Sequence, residues 1–176
     1  IKFFGNFNRA SFSQYLHEID EPTVKHPYDL INTYGYGNGS YQQSLSSTWS
    51  VRGGLSYSYN QNDVTLNSKP LGDLEKGLHA KIVFENSVND QLEIRLGSEY
   101  LLRDYLASRV NEQGEIQTLS FYEPLTVAFA EAEYFASTHF AVKTGGRFEN
   151  NGLTNNTAVD PRLSLAYKPD KRGPFS

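Results

Sequence analysis

The residues best suited to chemistry in this chain are charged side chains that recur at every second position. They are Arg52; Lys81 and Glu85; Glu93, Arg95 and Glu99; Glu131 and Glu133; Lys143 and Arg147; and Arg162. Paired carboxylates such as Glu131 and Glu133 could do general acid–base work if a nucleophile and an orienting partner stood beside them. The sequence supplies neither. It has no Cys, and its serines lie in alternating runs that match no nucleophile elbow. The run Gly35, Tyr36, Gly37, Asn38, Gly39 lacks the Lys and the strand–helix setting of a phosphate loop, and reads as a twisted strand or turn. His17 and His26 bracket Glu18, Asp20 and Glu21. Such a set could hold a metal or a haem, but its spacing matches no metal motif, and a solvated loop is the better reading. His79 and His139 stand singly near strand ends and read as interfacial. No catalytic, metal-binding or cofactor-binding residue is assigned, no cofactor is expected, and the chain is not read as an enzyme.

The elements that carry these charges are strands. From Thr48 to Asn60, Trp49, Val51, Gly53, Leu55, Tyr57 and Tyr59 alternate with Thr48, Ser50, Arg52, Gly54, Ser56 and Ser58. A period of two places each set on its own face of a strand, whereas a helix would scatter both around its axis. The same pattern recurs from Leu78 to Glu85, from Leu92 to Tyr100, from about Leu125 to Ala136, and through the hairpin His139 to Lys168. Ile1 to Leu16 and a run from about Leu30 add two more strands. Pro124 argues for starting the sixth strand just after it. The Ala and Glu content of 125–136 would suit a helix, but the close joint at Ser137 and Thr138 to the next strand favours β. Two opposed roles are open for the charged face. It can line a solute path or meet an enclosed domain, or its charges can pair across strands, each pair adding about 0.2–1 kcal/mol. Pairing is favoured, and equal offsets from the turn at 137–138 put Glu133 near Lys143.

Composition narrows the setting. The chain has 176 residues, enough for one domain with a core, and a formal net charge of -4 with mixed signs and no basic stripe for nucleic acid. No run of about 18 apolar residues suggests a transmembrane helix. With Tyr 12 and Phe 11 against Trp 1, the chain is rich in aromatics, yet its mean hydropathy is -0.54. A membrane β-barrel has this profile, because only alternate residues face lipid while aromatics gather at the two interfaces. Tyr57, Tyr59, Tyr100, Tyr134 and Tyr167 fall near strand ends on the apolar face. Without Met, and with an alternating run already under way at Ile1, the chain reads as a mature fragment or as one part of a longer chain.

Connections complete the expectation. Long loops are expected at about 17–29, 61–76, 105–118 (with a local turn at Gln113 and Gly114) and 150–160. Short turns are expected at about 42–46, 87–90 and 137–138. Strict alternation of long and short connections puts all long loops at one end of an up-and-down meander, the layout of an outer-membrane barrel. The expected fold is therefore all-β, an antiparallel up-and-down transmembrane β-barrel to which residues 1–176 contribute about eight strands of one domain. A self-contained eight-stranded barrel with a structural or binding role, and a soluble β-sheet enzyme, are the competing readings.

The segments AFAEAEYF (128–135), VKTGGRFENN (142–151) and DPRLSLAYKPDK (160–171), with weaker support from KFFGNFNR (2–9) and VRGGLSYSYN (51–60), resemble the barrels of TonB-dependent outer-membrane receptors. The likeness implies a middle section of a 22-stranded barrel, without plug domain or barrel-closing strand. It implies active import of a scarce nutrient (siderophore, haem, cobalamin, peptide or glycan) across the outer membrane of a Gram-negative bacterium. The implied partners are outer-membrane lipid, the TonB complex acting through other parts of the chain, the unknown small or oligomeric substrate, and a surface lipoprotein. In that setting Arg52, Lys81, Glu93, Arg95, Glu99, Glu131, Glu133, Lys143, Arg147 and Arg162 face the lumen.

Overall fold

In the computed structural model, which describes residues 1–17, 20–21, 23–66, 69–111 and 113–168, every regular element is a strand. They are β1 (Lys2–His17), β2 (Lys25–Ser44), β3 (Trp49–Leu66), β4 (Lys69–Asn89), β5 (Leu92–Val110), β6 (Ile116–Phe135), β7 (Phe140–Asn151) and β8 (Asn156–Tyr167). They form one 8-stranded antiparallel sheet in chain order. Among the described residues each strand pairs with its sequence neighbours, and no ladder joins β1 to β8. The sheet is thus open, with an unpaired edge on each side.

The short turns are built by side chains that accept backbone N–H groups. Ser46 Oγ accepts from the amides of Thr48 and Trp49 at 3.2 and 3.0 Å. Ser137 Oγ does the same for His139 and Phe140 at 3.2 and 3.1 Å. Asn89 Oδ1 accepts from Gln91 at 2.9 Å. Short polar side chains favour turns because they compete with the ladder for nearby N–H groups. The first of these turns lies slightly later than the sequence suggests, since Gln42 and Gln43 still oppose Arg52 and Val51.

At the other end the expected long loops are largely absent. The ladders run on to His17 opposite Lys25, Leu66 opposite Lys69, Val110 opposite Ile116, and Asn151 opposite Asn156. Most of 61–76 and 105–118 is therefore paired strand. The cause is that apolar and polar residues mix on both faces of these extensions, as in QNDVTL (61–66), KPLGDLEK (69–76) and YLASRV (105–110): backbone pairing continues, but the period-two hydrophobic signal that marks a strand in sequence has stopped. The turn at Gln113 and Gly114 is present. Gly114 has φ +80, a conformation glycine adopts at no steric cost, and donates to Asn111 O at 2.9 Å.

Proline placement explains why these strands tolerate it. Pro27, Pro70 and Pro124 each oppose a residue on one neighbour only: Tyr15, Thr65 and Leu102. The ladder on the other side begins one or two residues later, at Tyr28, Gly72 and Leu125. Pro161 lies on the edge strand β8. A missing N–H costs nothing where no neighbour waits for it. Strand β6 accordingly runs through Pro124 instead of starting after it.

Candidate functional site

Register decides which side chains share a face. Val51, Phe84, Leu96, Ala130, Gly146 and Pro161 stand in one cross-strand row. The alternate row through Arg52, Val83, Gly97, Phe129, Arg147 and Asp160 points the other way. Extending both rows assigns the apolar face to Phe3, Phe7, Leu55, Tyr57, Ile82, Phe84, Leu96, Phe148, Leu163 and Leu165, all exposed. The same bookkeeping puts Arg52, Lys81, Glu93, Arg95, Glu99, Glu131, Glu133, Lys143, Arg147 and Arg162 together on the opposite face.

That charged face is also where side chains crowd. Val83, Ala107 and Val127 are the buried hydrophobic residues, Val127 completely, and all three lie on it. Contacts on this face skip a strand. Lys81 Nζ of β4 stands 5.5 Å from the centre of the Phe129 ring of β6. Arg147 of β7 reaches Glu99 of β5 at 4.0 Å, and Arg162 of β8 reaches Glu131 of β6 at 4.0 Å. Adjacent strands lie about 4.8 Å apart, so side chains must converge to meet across two intervals. Glycines make room: a Cβ at Gly97 would stand 2.2 Å from Phe129 Cζ, and one at Gly145 only 2.6 Å from Ala130 O.

Each sequence-selected charge has a partner. Arg52 pairs with Glu85, and Glu85 also lies 3.3 Å from Arg95. Arg95 joins Glu93 at 2.9 Å and Glu133 at 3.7 Å. Glu99 gathers Lys81 at 2.7 Å, His79 at 3.7 Å and Arg147, while Arg147 also binds Glu149. Glu131 takes Lys143 at 2.8 Å. Glu133 does oppose Lys143 in register, but the ion pair forms diagonally to Glu131, because Arg95 holds Glu133 from the other side. Arg147 likewise turns to Glu149 and Glu99 rather than to the β6 carboxylates. Ion pairs within and across strands thus engage each of these charges.

The sequence missed the pairs beyond the alternating core. Arg103 meets Glu75 at 2.7 Å and sits 5.8 and 5.4 Å from the Tyr105 and Phe121 rings; Asn151 Nδ2 donates to Glu123 at 2.8 Å. A shallow hollow of about 320 Å³ lies nearby over Gly77, lined by Ser58, His79, Leu101, Arg103 and Glu123. These residues fell in or beside stretches that read as loops, and only their parity could have flagged them. His17 opposes Lys25 while His26 opposes Leu16, which places the two histidines on opposite faces of their hairpin. Glu18, between them, lies outside the described residues. Among the described residues no group of three His, Cys, Asp or Glu could hold a metal ion.

Burial separates strong pairs from weak ones. The Glu99 side chain is 11% exposed and that of Glu75 37%. Glu99→Gln is therefore expected to lower stability by about 1–2 kcal/mol, since it removes the well-covered carboxylate on which Lys81, His79 and Arg147 converge. Glu75→Gln should cost less than about 1 kcal/mol. Urea titration followed by fluorescence of the single Trp49 measures both; equal losses would contradict the ranking.

No family model, curated protein or solved structure matches the chain. The likeness to TonB-dependent receptors rests on the sequence segments alone.

Proposed function

We propose that this chain is an arc of a transmembrane β-barrel in the outer membrane of a Gram-negative bacterium, and that the barrel imports a scarce nutrient with energy delivered through TonB. The observation that carries the membrane half of this reading is a face of apolar and small residues, with large exposed apolar side chains on β1 and β3 to β8 and Gly35, Gly37 and Gly39 on β2, opposite a face whose charges are internally paired. In water an exposed apolar face of this extent would drive association; against lipid it is the stable arrangement, with polar groups turned inward. The apolar belt on β3 runs from Trp49 to Tyr59, close to the ~9–11 tilted residues that cross a bilayer. Aromatics mark both margins: Trp49, Tyr134 and Tyr167 on the short-turn side, Tyr57, Tyr59 and Tyr122 on the other.

The open edges favour an arc over a self-contained eight-stranded barrel. Every residue of β1 and β8 is exposed, and unpaired edges cannot stand in hydrocarbon, where each unsatisfied backbone group costs several kcal/mol. Further strands on both sides would satisfy them. The import half of the reading rests on the likeness of 128–135, 142–151 and 160–171 to receptor barrels. A non-enzymatic role is supported by Glu131 and Glu133, whose carboxylates are engaged by Lys143, Arg162 and Arg95.

The test is fractionation and uptake. The intact gene product should sediment with outer membrane and migrate faster unboiled than boiled in detergent gels, as folded barrels do. Growth on the limiting nutrient should fall in a TonB-deficient strain to the level of a strain lacking this gene. Recovery in the soluble fraction would overturn the barrel; outer-membrane location with TonB-independent growth on every nutrient tried would overturn the transport step alone.

A further inference from the structure

The inward face is divided, and the division names a substrate class. On β4 to β8, and at Arg52 near the short-turn end of β3, it carries the ion-paired charges described above. On β1 to β3 it carries Phe4, Asn6, Asn8 and Phe12, then Asn32, Tyr34, Tyr36, Asn38, Ser40 and Gln42, then Ser56, Ser58, Asn60 and Asn62. From Phe4 to Phe12, from Asn32 to Gln42 and from Gly54 to Asn62, no position on that face is Asp, Glu, Lys, Arg or His. A barrel wall that needed only hydration could use charges, as its neighbouring strands do. Here amides, hydroxyls and rings replace them.

The amides are organised. Asn32 Nδ2 donates to Asn60 Oδ1 at 2.9 Å and to Asn62 Oδ1 at 2.7 Å. Asn62 Nδ2 donates in turn to Asp73 Oδ2 of β4, at the border of the charged sector, at 2.9 Å. Asn38 Nδ2 donates to Tyr36 Oη at 3.2 Å, and the Phe4 and Tyr36 rings lie 6.1 Å apart, tilted by 53°. Phe4 is 63% exposed and Phe12 51%, although neither is on the apolar face.

Resting on the barrel reading, we propose that the β1–β3 sector is a binding wall for a neutral oligosaccharide. Amide and hydroxyl groups both donate and accept, which matches the hydroxyls of a sugar. Exposed ring faces accept the apolar C–H faces of pyranose units, and a few fixed polar groups set orientation. Lys2 and Arg52, the nearest cations on this face, stand at its short-turn margin, and Arg52 is already paired with Glu85; the stretch between those bounds offers no cation for an anionic cargo such as a ferric catecholate complex or haem, whose recognition calls for Arg or Lys.

The test uses the intact gene product in detergent and an array of neutral α- and β-linked glucan, galactan, mannan and xylan fragments, with ferric catecholate, haem and acidic glycans as competitors. At least one neutral fragment should bind, with affinity changing less than twofold between 50 and 500 mM NaCl, because no ion pair is made. Tyr34→Ala and Tyr36→Ala should each weaken it at least tenfold, and Tyr36→Phe by less. Unboiled gel mobility and outer-membrane location of each variant report folding separately, so a variant that fails to assemble is replaced by Asn38→Ala, expected to weaken binding at least threefold. An outer-membrane protein that binds none of the neutral fragments, or that prefers an anionic ligand in a salt-dependent way, overturns this proposal and leaves the barrel intact. Neutral-glycan binding unchanged in the Tyr34, Tyr36 and Asn38 variants places the site elsewhere and overturns it too. A protein absent from the outer membrane overturns the barrel reading and, with it, this one.

Discussion

Val51→Arg and Leu165→Arg are expected to impair assembly into a bilayer by about 2–4 kcal/mol each, whereas Ser50→Arg and Ser164→Arg should be nearly neutral. The magnitude is that of an Arg placed at the lipid face near the midplane. The contrast comes from register, not composition. Val51 shares its row with Phe84 and Leu96, and Leu165 stands opposite Val142. Ser50 and Ser164 each neighbour them in sequence but project to the other face, where Ser50 opposes Glu85 and Ser164 opposes Lys143. An Arg at position 50 would meet Glu85, and at position 164 it would face Lys143, a like-charge contact that costs under about 1 kcal/mol, well below the lipid-face penalty. Urea-dependent folding into phosphatidylcholine vesicles, scored as the heat-sensitive mobility shift, gives the free-energy differences. Equal losses on both faces would refute the assignment of the apolar face to lipid.

The second large effect lies on the charged face. Gly97→Ala is expected to destabilise the folded sheet by about 1–3 kcal/mol, the usual cost of overfilling a packed site. A Cβ there would stand 2.2 Å from Phe129 Cζ, so the ring would have to leave its place and its contact with Lys81. Phe129→Ala should remove the obstacle, so that the two changes together cost less than their sum, with a coupling of about 0.5–3 kcal/mol. Gly145→Ala makes an informative contrast. The atom in its way is the backbone oxygen of Ala130, which no side-chain truncation can clear, and its loss should persist with Phe129→Ala. Additive behaviour of Gly97→Ala and Phe129→Ala would show that the ring does not depend on the glycine beneath it.

Both expectations depend on parity, and parity was the part of the structure most legible from the residues. Where one face is apolar and the other polar, a one-residue slip would move a whole set of side chains across the sheet, so the pattern fixes facing strongly. That is why the segments from Thr48 to Asn60 and from His139 to Lys168 read correctly as strands. It is also why the selected charges fall together. The strand extensions were not legible for the same reason in reverse. Asn60, Gln61, Asn62 and Asp63 are polar on both faces, and Pro70 argued against a strand, although its missing donor faces no neighbour. The ion-pair partners were out of reach as well. Sequence offsets put Glu133 opposite Lys143, but the choice of Glu131 depends on Arg95 approaching from β5, a strand far away in sequence.

The sequence by itself determined the all-β class, the chain-order meander and the two faces, because alternation acts locally at every second residue. Only the tertiary structure decided how far the strands run, which charge meets which, and that contacts skip over Gly97 and Gly145. Those outcomes depend on distance between strands, and a linear pattern holds facing but not distance. The same holds for the uncharged stretch of the β1 to β3 wall, beyond Lys2 and Arg52. Its Asn, Tyr and Ser residues are plain in the sequence, but they become one surface only when register sets Asn32 beside Asn60 and Asn62.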